Sequence, residues 1–292
     1  MKTFKNAVRE RDFAIAAQIF LRSETDAESL RIQADVLKDT VDGILLTDNQ
    51  YGQLHMSTIA AASILLDHGV DPIVQLSSRN RNRIALMSDL LGAAAIGVSS
   101  LLLVAGERAP DSFRPKPKPV MDLTATDLIR TATIMKGDEN LARKPDFFVG
   151  GFATPVMPSS NWGAKNLREK VAAGAQFIQT HICMDVTVLS RYLGYLVTNN
   201  LIERTSVIGA VAVLGSADDA TWLRKNRPNA MVPDSVFKRL EAAKNPREEG
   251  IRICAETIRT MSGIPGIAGV NIMAARDLSA IPAVIDAAGI NG

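Results

Sequence analysis

The chain has 292 residues, 47% hydrophobic and 22% charged, the profile of a globular protein rather than a disordered or fibrous one. Its 33 Lys and Arg against 31 Asp and Glu leave a formal charge of +2, and aromatics are only 5%. With no basic stripe and no aromatic interleaving, nucleic acid is not an expected partner. The length suits one large α/β domain with extensions.

Taken in order, the N-terminal MKTFKNAVRERDF is too charged to contain a signal-peptide core. Apolar runs without polar alternation then recur: FAIAAQIF (13–20), GILLT (43–47), PIVQLS (72–77), SLLLVAG (100–106), FFVGGFA (147–153), QFIQTHI (176–182), SVIGAVAVL (206–214) and AGVNIMA (268–274). Strands buried on both faces read this way, and parallel neighbours need a crossover between them. Segments of helical spacing supply it, at 28–39, 56–69, 83–97, 166–175 and 278–289. The uncharged run 90–106 is interrupted by Gly92, Gly97 and Ser99-Ser100. It is shorter than the roughly 20 apolar residues of a membrane span, so it reads as helix end, turn and strand. Residues 107–122, with four prolines, form a loop after the fourth strand. Cys183 and Cys254 match no metal-ligand spacing and read as reduced thiols of a cytoplasmic protein; no metal site and no membrane contact are expected.

Eight strands alternating with helices predict an α/β fold of the (β/α)8 TIM-barrel type, a single domain over 1–292 with a helical insertion around 215–263. A doubly wound open sheet remains the alternative, because a strand count does not prove closure. No GxGxxG follows an early strand, which argues against a dinucleotide-binding Rossmann domain. Barrels place their chemistry at the carboxyl ends of the strands. Gln18, Thr47, Asp48, Gln75, Glu107 and His181 fall there. Any one of them could merely satisfy a loop hydrogen bond, but together at separate strand ends they suggest a site.

The segment PIVQLSSRNRNRIALMSDLLGAAAIGVSSLLLVAGE (72–107) resembles the third and fourth βα units of methylenetetrahydrofolate reductases, most closely the short bacterial type that has only the catalytic domain. The matching features are Gln75-Leu76-Ser77-Ser78, the helix start Arg79–Arg83, and Gly106-Glu107 where the family has Gly-Asp. NLREKVAAGAQFIQTHICMD (166–185) is similar to the family's Leu-x-x-Lys-x-x-Ala-Gly-Ala helix, its strand and the Asp that closes it.

This resemblance implies a barrel that binds FAD, or FMN in some relatives, across its carboxyl-terminal mouth. Electrons would come from NADH or NADPH, or through a partner subunit. Hydride would pass to the methylene carbon of 5,10-methylenetetrahydrofolate to give 5-methyltetrahydrofolate, or back again. Homo-oligomers are common in the family. By the same resemblance Thr47, Gln75, Gly106, Glu107, Asn166 and Lys170 are candidate cofactor contacts, and Gln18, Glu107 and His181 candidate catalytic residues. Glu107 stands for an aspartate that tunes the flavin and pairs with the substrate's cationic iminium form. His181 stands where many relatives have a pterin-binding glutamine.

Gln18 is the departure. The family reads Phe-Glu-Phe-Phe-Pro-Pro at the end of strand one, and this chain reads Ala17-Gln18-Ile19-Phe20-Leu21-Arg22. The missing glutamate supplies the proton that opens the methylene-folate ring, and an amide cannot act as a general acid at neutral pH. Asp12 precedes the strand, while Glu24 and Asp26 lie beyond it. Either Glu24, Asp48 or His181 donates the proton, or the substrate is another one-carbon carrier, or the protein binds flavin and pterin with little turnover. A pterin-dependent methyltransferase barrel is the remaining rival. An aldolase is disfavoured, since no strand ends in a Schiff-base lysine.

Overall fold

The computed structural model describes residues 2–10, 13–141, 144–159, 161–274 and 276–290; Asp12 lies outside them. Eight parallel strands close in sequence order into a barrel: β1 (Ala14–Ile19), β2 (Gly43–Leu46), β3 (Pro72–Ser77), β4 (Ser100–Val104), β5 (Phe148–Ala153), β6 (Phe177–Ile182), β7 (Ser206–Val213) and β8 (Ile267–Ala274). The open-sheet alternative is ruled out, because β1 pairs with both β2 and β8. Helices α2 (Ala27–Asp35), α3 (Thr58–Asp67), α4 (Arg83–Ile96), α5 (Ala125–Met135), α6 (Lys165–Ala172) and α7 (Val186–Thr198) connect the first seven strands. The segment 215–263 folds as α8 (Ala217–Asn226), α9 (Asp234–Ala242) and α10 (Pro246–Ser262), and α11 (Ala280–Ala288) follows β8. Of the three, α10 packs on β7 and β8 as the ordinary crossover helix, so α8 and α9 are the extra piece.

Side chains two apart on a strand share a face, and this divides the interior into layers. The lower layer is apolar: Ala16, Leu45, Ile73, Leu102, Phe148, Phe177 and Ile208 pack together. Two residues further toward the carboxyl ends of β1, β2, β3 and β6 come Gln18, Thr47, Gln75 and Gln179, all buried. The intervening residues, such as Ile15, Ala17, Ile44, Leu46, Val74 and Leu76, face the helices and join the outer core.

The barrel floor is closed by α1 (Phe4–Glu10), which the strand-and-crossover pattern did not anticipate. Phe4, Ala7 and Val8 pack on the lower layer, with the Phe4 ring edge-on to Phe177 at 5.6 Å. Phe177 in turn stacks on Phe148 at 4.9 Å. Its ring occupies the space a side chain at Gly150 would need, since a Cβ there would lie 2.3 Å from it. The buried carboxylate of Asp71 accepts from the Phe4 amide at 2.8 Å and from the Ser99 hydroxyl at 3.3 Å, tying the plug to the barrel. Burial raises the Asp71 pKa to about 6.

Candidate active site

At the opposite end, the polar upper layer opens into a cavity of about 780 Å³, adjoined by a smaller lobe of about 320 Å³. Gln18, Thr47, Gln75, Gly106, Glu107, Asn166, Lys170 and His181 all line the larger part. Gln18, Glu107 and His181 also line the smaller one, with Gln179 and Asn271 deeper in the barrel.

Local structure explains how each arrives there. Gly106 ends the β4 extension with φ +86°, and a Cβ there would meet the Ser77 Cβ at 2.7 Å, so glycine lets the chain turn into the loop. Asn82 caps α4 by accepting from the Ala85 amide at 2.9 Å, and Arg83 grips Asp122 at the far end of the loop. Asp48 is buried and holds two strand ends together. It accepts from the Ser77 amide at 2.7 Å and lies in the fork of Arg81, at 2.6 and 3.2 Å. Glu24 is exposed and lines a different surface cleft, whereas Asp48 lines the cavity itself.

The α6 amino terminus borders the cavity through Gly163, Ala164, Lys165 and Asn166. Ala164 is its N-cap, in the left-handed region at φ +49°, and contributes no side-chain cap. Lys170, one turn along, reaches back to donate from Nζ to the Phe152 carbonyl at 2.7 Å, and burial pulls its pKa down. A helix amino terminus beside a lysine suits a phosphate-bearing ligand.

His181 stacks face to face on Phe152, with ring centres 5.0 Å apart. Burial, and then the charges of Arg227 and Lys170, lower its pKa to about 4. It is therefore a neutral imidazole at pH 7, able to donate or accept one hydrogen bond but not to serve as a ready acid. Gln18 donates through Nε2 to Gln50 Oε1 at 3.3 Å.

Several lining groups were not singled out by sequence reasoning. Arg227, from the turn after α8, hydrogen-bonds and ion-pairs with Glu107 Oε1. Its Nε meets the Tyr51 hydroxyl at 3.2 Å, and its guanidinium lies 4.2 Å from the centre of the Tyr51 ring. Tyr51, itself at φ +57°, donates its amide to Glu107 Oε2 at 2.8 Å and meets Trp222 edge-on at 5.4 Å. Gln179 and Asn271 carried a signal that could have found them: a polar residue inside an otherwise apolar strand run. Arg227 carried none, as it is one charge in a charged insertion. Among the described residues no group of three or more His, Cys, Asp or Glu is arranged to hold a metal, and both cysteines are free and buried.

A family model for methylenetetrahydrofolate reductase matches residues 3–289. The chain belongs to that family. Among solved structures, an uncharacterized protein from Clostridium thermocellum, described as binding two copies of 5-methyl-5,6,7,8-tetrahydrofolic acid, superposes with a TM-score of 0.66. It is 15% identical, over 98% of this chain and 97% of that one. Oxaloacetate acetylhydrolase, solved with 3,3-difluorooxalacetate, superposes at 0.51 with 12% identity, over 93% of this chain and 78% of the other. At such identities the likeness is one of fold. No curated protein sequence matches the chain. Family membership makes a folate-related role the coarse functional assignment.

Proposed function

We propose that this protein is a flavin-binding oxidoreductase of folate one-carbon chemistry, interconverting 5,10-methylenetetrahydrofolate and 5-methyltetrahydrofolate with electrons from NADH or NADPH. One observation carries the reading: in a chain of this family, residues from all eight strands or the turns just beyond them, with the α6 terminus, converge on one cavity with two lobes. The larger lobe suits a nucleotide-sized cofactor and the smaller a bicyclic ring.

The residues present fit a flavin. Thr47 Oγ1 is buried without a hydrogen-bond partner among the described residues and lines the cavity, so it is available to a ligand. Lys170 and the α6 amides would hold the phosphates, while Gln75, which can both donate and accept, would meet a ring edge. When bound, the flavin supplies hydride transfer. The chain's own groups do the rest. Phe152 and His181 present a flat stacked surface beside the smaller lobe, and His181 stays uncharged beside a pterin.

A second reading has a specific observation in its favour: the strand-one position holds the amide Gln18, which hydrogen-bonds another amide, Gln50. On this reading the cavity holds reduced folate, flavin or both with little turnover. The Clostridium thermocellum protein, described with two folate molecules on the same fold, is consistent with it.

The test is direct. Purified protein loaded with FAD or FMN should absorb near about 450 nm, as bound flavins do. After anaerobic reduction, adding methylenetetrahydrofolate should restore that band. Retention of flavin without reoxidation selects the second reading, and no uptake of either flavin overturns the first.

A further inference from the structure

The outer surface of α4 is unlike that of a helix that faces water. From Ile84 to the C-cap Gly97 its one charged residue is Asp89, and that carboxylate is held by Arg81 at 3.1 Å. The positions turned away from the barrel are apolar or small. Ile84 is 73% exposed, and Met87, Leu91 and Ile96 are exposed with it. The loop before α5 lengthens the patch, because the Val120 and Met121 amides both donate to the Arg79 carbonyl just ahead of α4 and both side chains are exposed. On the other flank α3 packs alongside, uncharged from Thr58 to Leu66. The next helix, α5, has the ordinary outside, with Arg130 paired to Asp127 at 2.9 Å. A helix apolar on every side is one that is covered on every side.

We propose that the α3–α4 face is the twofold interface of a homodimer, with α4 packed antiparallel on α4 of a second copy.

The order of residues along α4 selects that occupant. About the buried Leu90 the outward positions mirror one another: Ser88 with Gly92, Ala85 with Ala95, Ile84 with Ile96. A twofold axis sets the same patch against itself, so an antiparallel pair brings small residues together at its centre and isoleucines together at both ends. Gly92 gives a second indication. A Cβ there would meet nothing within 4 Å, so no packing inside the chain calls for glycine at a position where it weakens the helix. Close approach of a helix from outside supplies the reason, since the distance between packed helices follows the size of the side chains at the contact.

The area agrees. α4 has 14 residues and so runs about 21 Å, and with α3 beside it the uncharged face is about 20 Å wide. That is roughly 400 Å² before side-chain relief is counted, at the upper end of what a monomer leaves apolar and about half of one partner's share of a standard interface. Arg83, Asp122 and Asp67 at its edges provide the polar rim. A different protein would have few charges here by which to be selected, whereas homodimer interfaces are the more apolar class.

Sedimentation velocity of the purified protein at micromolar concentration should give twice the chain mass. Gly92→Glu, which puts a better helix former into open space, should keep the far-ultraviolet circular dichroism of the wild type and sediment as a monomer. Leu91→Glu should do the same, and decides the matter if Gly92→Glu does not fold. Arg130→Ala, on the outside of α5, should leave the dimer intact. Ser88→Cys and Gly92→Cys proteins, mixed and mildly oxidised, should form a disulfide between chains, with Cys183 and Cys254 buried and out of reach. A monomeric wild type overturns the inference, including one whose α4 face instead binds phospholipid vesicles or another protein. So does a dimer that survives both glutamate substitutions, or a mixture of the cysteine variants that stays uncross-linked.

Discussion

Gln18 Nε2 donates to Gln50 Oε1 at 3.3 Å, an amide-to-amide contact at the strand end where the family resemblance implies a carboxylic acid. Gln18 is buried at the boundary of both lobes, so a carboxyl group there would be partly desolvated and its pKa raised. Gln18→Glu should therefore create a general acid in place, with Gln50 turning its amide to donate. Folate-dependent reoxidation of the reduced protein is expected to rise by about 10²–10⁴-fold, the usual worth of a positioned acid. Stopped-flow at 450 nm, about where flavins absorb, measures it. An unchanged rate would mean that proton supply is not what limits this protein.

Lys170 ties α6 to β5 through the Phe152 carbonyl and lines the larger lobe of the cavity. Lys170→Ala should weaken flavin retention by roughly tenfold or more, the scale of one charge-assisted hydrogen bond. A fluorescence titration reads the affinity, and a thermal melt of the apoprotein shows whether the barrel has stayed intact. An affinity that does not move would remove Lys170 from the cofactor site.

His181 should titrate near pH 4, since burial comes first among the causes and two cations assist it. The sign follows from the folded value lying below the ordinary 6.5. Above about pH 6.5 the ring is neutral in both folded and unfolded chains. As pH falls toward 4 the unfolded chain takes up the proton first, so this residue withdraws stability on acidification. Carbon-bound ring protons followed by NMR give the midpoint. A value near 6.5 would mean that the imidazole is wetter and less crowded by Arg227 and Lys170 than the structure shows.

The plug on the barrel floor offers two stability tests that leave the mouth untouched. Phe4→Ala should cost about 3–5 kcal/mol, typical of a buried phenylalanine, with ligand affinity per folded molecule unchanged. Denaturant midpoints measure the first quantity and titration the second.

Asp71 contributes in the opposite sense to His181. Its folded pKa of about 6 stands above the ordinary 3.8, so the folded chain holds this proton over that interval and the unfolded chain does not. Stability from this group is present below about pH 4 and lost as pH rises to 6, with an upper bound of about 3 kcal/mol for a two-unit shift. The stability difference between wild type and Asp71→Asn should change across that interval and stay flat above it. A difference independent of pH would show that Asp71 is ionised throughout.

Much of the barrel was legible in the order of residues because burial on both faces leaves a mark that does not depend on distant partners. The runs at 72–77 and 206–214 are apolar with little or no alternation, and the structure forms β3 and β7 there with ends displaced by one residue at most. The plug helix was not legible. Its seven residues, FKNAVRE, carry only three buried side chains, too few for a helical period to stand out.

What the sequence alone determined is what short-range chemistry determines: the strands, their crossovers, and polar side chains two positions beyond apolar ones at the strand ends. Gln18, Thr47 and Gln75 follow from that alternation, while Glu107 and His181 were picked out only as polar residues at strand ends. Tertiary structure alone decided the electrostatics. Arg227 meets Glu107 across 120 positions of chain, Asp48 is enclosed by Arg81, and His181 lies between burial and two cations. The charge a site presents depends on which groups come within a few ångströms of one another and on how much water is left between them. Neither is written in the spacing of residues along a strand.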